Sequence, residues 1–180
     1  MKVYVMRHGT TVWNEKGITQ GRTNNRLSKQ GKLLTEEVAK KYKDIKFDVI
    51  FASPLMRTMQ TANIINKYHG VKVVKDERLV EIDQGVFSGK SKYEITEEEK
   101  KLKFARAKEC GMESYQSVYE RIVNFVQELK QNKKYEIVLV VTHNVGASFV
   151  ALVLSDIDVD YNNDEHLRSF KNAEVKIYEI

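Results

Sequence analysis

The sequence predicts a three-layer α/β/α sandwich with a mainly parallel sheet and a small lid insertion. Short segments rich in Val, Ile, Tyr and Phe alternate along the chain with longer amphipathic segments, which is typical of this class. The run IVLVV at 137–141 is apolar without alternation, as expected of a strand that is covered on both faces of a parallel sheet. No repeat or Pro/Ser-rich linker divides the chain, so residues 1–180 are predicted to form one domain.

The individual elements follow from periodicity and from capping residues. The helix at 28–44 has Ser28 as its predicted N-cap, and the helix at 54–68 is predicted to begin with a cap serine followed by Pro54 at its first position. The charged stretch 84–113 follows a Gly-rich turn and is predicted to form the lid insertion over one edge. The other predicted helices are 114–131 and 146–155, and the predicted strands are 2–6, 47–52, 71–74, 136–142 and 175–180.

Composition restricts the possible classes of protein. The formal net charge is +5, but Lys and Arg are scattered among Asp and Glu, which favours an enzyme of anionic metabolites over a nucleic-acid-binding protein. Cys110 is the only cysteine, which excludes an intramolecular disulfide and a thiolate metal cluster. No apolar run reaches the ~18 residues of a membrane span, and the four apolar residues before Arg7 are too few for a signal-peptide core. We therefore expect a cytoplasmic protein that does not bind membranes.

Unusual polar residues follow the predicted strands. Arg7 and His8 follow the first strand, Arg57 follows the second, Glu81 the third and His143 the fourth. In an open parallel sheet, ligands bind outside the carboxyl ends of the strands. Four separate segments are therefore predicted to bring two arginines, two histidines and a glutamate to one rim.

These residue types suit phosphate chemistry. Two guanidinium groups offer planar donor forks for a phosphate dianion, and a helix N-terminus at 54–57 is expected to add free N–H groups. A histidine between two arginines is expected to be neutral and thus able to attack phosphorus. A carboxyl group that keeps its proton can act as general acid on the leaving oxygen. We expect no metal and no cofactor, because the arginines neutralise the phosphate and would repel a cation.

The same residues lie in motifs that resemble a known family. The five stretches are RHGTTVWN at 7–14, GITQGRTNNRLSKQG at 17–31, IFASPLMRTMQTA at 50–62, LVEIDQGVFSGKS at 79–91 and VTHNVG at 141–146. In this order and spacing they resemble the histidine phosphatase superfamily, which includes the cofactor-dependent phosphoglycerate mutases. The resemblance covers essentially the whole chain and implies a phosphoglycerate mutase-like fold.

The resemblance also implies a role for each matching position. His8 would be the nucleophile that becomes phosphohistidine, while Arg7, Arg57 and His143 would hold the phosphoryl group. Glu81 would protonate the leaving oxygen; the residues alone leave Asp83 open as the acid, and the resemblance selects Glu81. It implies further substrate-binding residues at Asn14, Gln20, Gly21 and Asn144. Without the resemblance, Asn14 and Gln20 are about as well explained as hydrogen-bond partners of loop backbone.

Some positions depart from the family pattern. Asn24 and Arg26 stand where aspartate and proline are usual, Phe87-Ser88 replaces Trp-Glu, and Asn144-Val145 replaces Gly-Gly. None of these is a catalytic group. The departures therefore bear on the substrate and not on the chemistry.

The sequence thus predicts a metal-independent phosphomonoesterase that acts through phosphohistidine on a small phosphorylated metabolite. A phosphoglycerate mutase is the main competing hypothesis. Mutases of the family carry a longer lid and a C-terminal tail, whereas this sequence ends on VKIYEI, which favours the phosphatase. A non-catalytic phospholigand-binding protein and a metal-dependent hydrolase also stay open, and chelator sensitivity would identify the hydrolase. The sequence predicts neither which phosphate ester is the substrate nor the oligomeric state.

Overall fold

The computed structural model describes residues 1–106, 108–159 and 170–180. Its strands are β1 (Lys2–Arg7), β2 (Val49–Ala52), β3 (Lys72–Lys75), β4 (Ile137–Thr142) and β5 (Val175–Glu179). Its α-helices are α1 (Val12–Glu15), α2 (Lys29–Tyr42), α3 (Met56–Asn66), α4 (Glu97–Phe104), α5 (Tyr115–Gln131) and α6 (Asn144–Leu154). Among these helices, none is long and apolar enough to cross a membrane.

The five strands form one sheet in the order β3-β2-β4-β1-β5. All neighbours are parallel except β1 and β5, which are antiparallel. The prediction of a mainly parallel sheet is therefore confirmed. Strands β1 and β4 pair in register from Lys2 and Ile137 to Arg7 and Thr142, so both end at the same level of the sheet. The two histidines that follow these strands are consequently adjacent.

Helices cover both faces of the sheet, which confirms the three-layer architecture. Helix α5 places Val118, Ile122, Phe125 and Leu129 on one stripe, and these side chains pack with α6 against one face. Helices α2 and α3 pack on the other face around Ala39, Ala62 and Ile65. Burial of a single large aliphatic side chain contributes about 1.5–3 kcal/mol, so these two layers hold the sheet and its rim in place.

The start of α3 differs from the prediction. The helix begins at Met56, because Leu55 is extended, and the Ser53 hydroxyl does not cap it. Instead the side-chain oxygen of Asn24, from a distant loop, accepts a hydrogen bond from the backbone N–H of Met56 at 2.6 Å. The prediction of a serine cap followed by proline inside the helix was therefore wrong. The backbone N–H of Met56 is bound to Asn24, contrary to the expectation that it would be free for an anion.

The stretch 84–113, here called the lid segment, folds on its own small apolar cluster. An antiparallel bridge between Gln84 and Met112 joins its two ends. Phe87, Ile95, Cys110 and Met112 form a buried cluster separate from the layers that cover the sheet. Helix α4 within it has no buried residue and is capped by Thr96. The lid segment therefore has a small apolar cluster of its own, and its role as an insertion over one edge of the sheet stays a prediction.

Candidate active site

A cleft of about 190 Å³ lies at the carboxyl ends of β1, β2 and β4. Its walls come from the loops after these strands, from the lid segment and from the start of α6. It is lined by Arg7, His8, Asn14, Ile18, Thr19, Gln20, Gly21, Arg57, Glu81, Gln84, Lys103, Tyr115, Asn144 and Val145. Eight of the nine predicted site residues are in this lining; the ninth, His143, lies behind it.

The His8 ring is fixed in one tautomer. Its backbone N–H donates to the carbonyl of Thr142, which continues the β1–β4 pairing by one residue. Its Nδ1 lies 2.7 Å from the carbonyl oxygen of Gly9. A carbonyl oxygen only accepts hydrogen bonds, so Nδ1 carries the proton. The neutral ring therefore has its lone pair on Nε2.

Burial and neighbouring charge keep this ring neutral. His8 is only 2 % exposed. Burial, followed by the positive charges of Arg57 and Arg7, lowers its pKa well below the ordinary value of 6.5, against a smaller opposing effect of the Gly9 hydrogen bond. At neutral pH the site thus holds an unprotonated imidazole, which is the form able to act as a nucleophile.

The backbone around His8 is held by residues that the sequence did not single out. The N–H of Gly9 donates to the Thr61 hydroxyl at 3.0 Å, and the Asn172 amide donates to the carbonyl of His8 at 3.2 Å. Helix α2 approaches so closely that a Cβ on Gly31 would lie 1.9 Å from the carbonyl oxygen of Thr10. These contacts come from three distant segments, and no local pattern in the sequence indicates them.

Arg57 is buried below the cleft and oriented by three acceptors. Its Nε donates to Nδ1 of His143 at 3.1 Å, and its terminal nitrogens donate to the carbonyls of Thr23 and Gly21 at 2.7 and 2.8 Å. Burial lowers the pKa of Arg57 to about 10, with Glu81 opposing the shift and Arg7 adding to it. The guanidinium is therefore charged at neutral pH, and three of its five N–H groups are already bound.

Arg7 supplies the second guanidinium. One terminal nitrogen donates to the carbonyl of Phe170 at 2.7 Å. Its Nε is buried and has no hydrogen-bond partner among the described residues. Burial lowers the pKa of Arg7, and the charges of Glu81 and Glu174 oppose this. A guanidinium with a buried, unsatisfied donor beside a polar cleft is well suited to an anionic ligand.

His143 lies in the layer behind the cleft, with both ring nitrogens bound. Because Nδ1 accepts from Arg57, the neutral ring carries its proton on Nε2, which donates to the Ser53 hydroxyl at 2.8 Å. Burial and the charge of Arg57 lower the pKa of His143 well below 6.5. The Ser53 hydroxyl also accepts from the backbone N–H of Leu55 at 3.4 Å, before the first residue of α3. Direct contact of His143 with a phosphoryl group stays a prediction.

The Glu81 carboxylate sits at the N-terminus of α6. Its two oxygens accept from the backbone N–H groups of Ile82 at 3.0 Å and of Asn144 at 3.2 Å. Asp83, the other candidate acid, instead accepts from the backbone of Gly85 and is absent from the cleft lining. The geometry therefore favours Glu81 as the carboxyl group that faces a ligand.

Asn14 and Gln20 make hydrogen bonds within their loop and also line the cleft, so both roles that the sequence left open apply to them. The side-chain carbonyl oxygens of both lie within 3.0 Å of the Thr11 hydroxyl, and Asn14 also caps α1 with Thr11. Both residues nevertheless line the cleft. Their carbonyl ends stabilise the loop, which leaves the amide N–H groups as the ends able to donate to a ligand.

The lid segment contributes one lysine, Lys103, to the cleft, and nothing in the sequence distinguishes it from the other lysines of the segment. Lys103 of α4 donates from Nζ to the Thr19 hydroxyl at 2.9 Å, and both residues line the cleft. Gln84 and Tyr115 complete this side. The contact joins residues 84 positions apart, so periodicity along the chain does not predict it.

Within the described ranges, no three His, Cys, Asp or Glu side chains are arranged to hold a metal ion. The cleft instead combines a neutral imidazole, two guanidinium groups and a carboxyl group. This set can bind a phosphate ester, attack its phosphorus and protonate the leaving oxygen.

Comparison with known proteins gives one consistent result. Residues 3–180 match the model of the histidine phosphatase superfamily (branch 1). The chain is 33% identical over 174 residues to phosphoserine phosphatase 1 of Hydrogenobacter thermophilus, covering 88% of this chain and 78% of that protein.

Solved structures agree with this match. YhfR of Bacillus stearothermophilus superimposes with a TM-score of 0.85 at 27% identity, covering 99% of this chain and 91% of that one. A histidine-to-alanine mutant of phosphoserine phosphatase from Entamoeba histolytica, in complex with phosphoserine, gives 0.78 at 27% identity and covers 98% and 89%. The matches support phosphatase activity, and the chain belongs to the histidine phosphatase superfamily.

Proposed function

We propose that this protein is a metal-independent phosphomonoesterase that acts through a phosphohistidine at His8 on a small phosphorylated metabolite. The observation that carries the proposal is the state of His8. Its ring is buried, neutral and anchored through Nδ1 to the Gly9 carbonyl, in a cleft lined by Arg7 and Arg57. Because Nδ1 carries the proton, Nε2 has the lone pair that can attack phosphorus as the nucleophile.

The phosphate group would bind to donors that surround this ring. Arg7 lines the cleft and uses one terminal nitrogen on the Phe170 carbonyl, and Arg57 has two N–H groups beyond the three already bound. The amide groups of Asn14 and Gln20 supply further N–H donors from the loop that carries them. Donors fixed before the ligand arrives stabilise charge in the transition state without reorganisation.

The reaction would take two displacements. Nε2 of His8 attacks phosphorus, the bond to the ester oxygen breaks, and Glu81 gives its proton to that oxygen, so that an alcohol leaves. Water then attacks the phosphohistidine, Glu81 takes a proton from the water, and the phosphorus–nitrogen bond breaks to release inorganic phosphate.

The chain's own charges would replace a metal ion. Two largely buried guanidinium groups neutralise a phosphate dianion, and both would repel a divalent cation from the same cleft. Arg7 and Arg57 thus supply the stabilisation of transferring phosphoryl groups that metal ions provide elsewhere.

The substrate would be small and would carry a second anionic group. The cleft volume of about 190 Å³ is below the range usual for drug-sized ligands. Lys103 adds a positive charge to the cleft from the lid segment, separate from the two arginines that the rim supplies. A carboxylate on the substrate would pair with it. The relationship to phosphoserine phosphatases supports this class, since phosphoserine carries such a group.

Hydrolysis of p-nitrophenyl phosphate in excess chelator tests the proposal. Wild type should release p-nitrophenol, and His8→Asn should lower the rate by at least about 1,000-fold because the nucleophile is lost. His69→Asn is the matched control, since His69 lies outside the cleft and packs on Phe47. Activity that persists in folded His8→Asn, or that disappears with chelator, would contradict the proposal. Activity that requires a bisphosphate primer would identify a mutase instead.

A further inference from the structure

Glu113, at the end of the lid segment, is the centre of a hydrogen-bond network that no sequence motif indicates. Its carboxylate binds Arg121 through two hydrogen bonds of 3.1 and 3.2 Å and forms an ion pair with Arg22 at 3.0 Å. It also accepts from the backbone N–H of Asp83 at 3.1 Å and from the Ser117 hydroxyl at 3.2 Å. One side chain thus joins the loop after the third strand, the loop before α2 and helix α5.

The network reaches the proposed acid from two sides. Arg22, held by Glu113, donates from Nε to the backbone carbonyl of Glu81 at 3.2 Å. Two residues further on, the backbone N–H of Asp83 donates to Glu113, and the N–H of Glu113 donates back to the Asp83 carbonyl at 3.2 Å. The segment that carries the Glu81 carboxylate is therefore clamped at both ends by contacts that depend on Glu113.

The same network adjoins the phosphate-binding arginine. Gly21 and Thr23, on either side of Arg22, provide the carbonyls that orient Arg57. Glu113 therefore ties the loop that orients Arg57 to the segment that carries Glu81. A shift between these two segments would change where the leaving oxygen lies relative to the acid.

Glu113 holds this position as an anion. Its side chain is 10 % exposed. Burial alone would raise its pKa, but hydrogen bonding to Arg121, the charges of Arg121 and Arg22, and the Asp83 N–H together lower its pKa below the ordinary value. Replacing the charge while keeping the shape would thus weaken both arginine contacts and leave two cations facing a neutral group.

We infer that Glu113 is a positioning residue that holds Glu81 in line with the leaving oxygen of the substrate. The inference rests on the proposed function, in which Glu81 is the general acid. A positioning role for Glu113 predicts a dependence on the leaving group that a purely structural role does not predict. A poor leaving group such as an alkoxide needs the proton, whereas p-nitrophenolate leaves readily without one. Displacement of Glu81 should therefore slow alkyl esters more than p-nitrophenyl phosphate.

The test compares kcat/KM for glycerol 2-phosphate, an alkyl ester, with kcat/KM for p-nitrophenyl phosphate, an aryl ester. For each ester, kcat/KM reports the step in which the ester bond breaks. Glu113→Gln should lower kcat/KM for the alkyl ester by about 10-fold or more and kcat/KM for the aryl ester by less than about 3-fold. These losses are smaller than those expected when the general acid itself is removed. Arg22→Met should show the same selectivity to a smaller extent, and this side chain is 42 % exposed, so the variant is expected to fold.

Two reference variants make the outcome decisive. Glu128→Gln removes a glutamate that pairs with Arg78 outside the cleft and should leave the selectivity unchanged. Glu81→Gln should show the largest selectivity. If Glu81→Gln is selective while Glu113→Gln and Arg22→Met slow both esters equally or slow neither, the inference about Glu113 is overturned and the proposed function stands. If Glu81→Gln itself slows both equally, the assignment of Glu81 as acid fails, and the inference fails with it.

Discussion

The rim of the sheet and the lid segment are built in opposite ways. The rim residues His8, Arg57 and His143 are at most 2 % exposed and are held by neighbouring strands and helices. Helix α4 in the lid segment has no buried residue and presents mostly charged side chains. The rim therefore has one arrangement that packing determines, whereas the lid segment can change its surface without disturbing the core. This difference suggests that the chemistry belongs to the rim and substrate selection to the exposed helix α4 of the lid segment, whereas Glu113 lies outside this helix, at the end of the lid segment.

Replacing an arginine of the rim should give a larger effect than replacing a residue of the lid segment. Arg57→Lys removes the planar fork that binds His143 and the carbonyls of Gly21 and Thr23. We expect kcat/KM to fall by about 100- to 1,000-fold for every phosphate ester, as for loss of a transition-state donor. Arg78→Lys, outside the cleft, is the control. A loss confined to some esters would contradict the view that the rim performs chemistry common to all substrates.

Replacing the cleft lysine of the lid segment should have a smaller and selective effect. Lys103→Met should raise KM about 10-fold for phosphoserine and similar carboxylated esters, because one partly exposed charge pair is lost. KM for p-nitrophenyl phosphate should change less than about 2-fold. Lys100→Met, which removes a neighbouring lysine that pairs with Glu97, should change neither value. Equal losses on both esters would assign Lys103 to the chemistry instead of to selection.

The smallest effect concerns stability and pH. His8 and His143 have folded-state pKa values well below 6.5, so below pH 6.5 the unfolded chain binds protons that the folded chain does not. The free energy of unfolding should thus fall as the pH falls below 6.5, by up to about 1.4 kcal/mol per pH unit for each histidine, and be flat just above it. Urea unfolding between pH 7.5 and 5.5 measures this slope. His8→Asn should reduce it by one proton; an unchanged slope would show that His8 is charged in the folded protein.

Much of the rim was predictable because local sequence patterns indicate where the strands end. Strand-forming runs placed Arg7, His8 and His143 at strand ends, and parallel pairing then requires those ends to meet. The start of α3 was not predictable in this way. Ser53 followed by proline has the local features of a cap, but its hydroxyl binds His143, and Asn24 caps the helix from a distant loop. Tertiary contacts overrode the local signal.

The lid segment shows the opposite balance. Its charge pattern predicted a surface insertion, yet nothing in that pattern separates Lys103 from the other lysines or Glu113 from the other glutamates. Their importance comes from partners far along the chain, Thr19 in one case and Arg22 in the other. Such contacts depend on how the lid segment packs beside the sheet, which periodicity does not specify.

The most direct test of the phosphohistidine mechanism is the stereochemical course at phosphorus. The substrate is a phosphate ester whose phosphoryl group is made chiral with three oxygen isotopes, and the enzyme transfers this group to an alcohol acceptor. The configuration of the product reports the number of displacements, whichever step limits the rate. Two in-line displacements, first by His8 and then by the acceptor, each invert phosphorus, so a phosphohistidine mechanism predicts overall retention. Overall inversion would mean direct attack on the substrate, and the phosphohistidine at His8 would then be excluded.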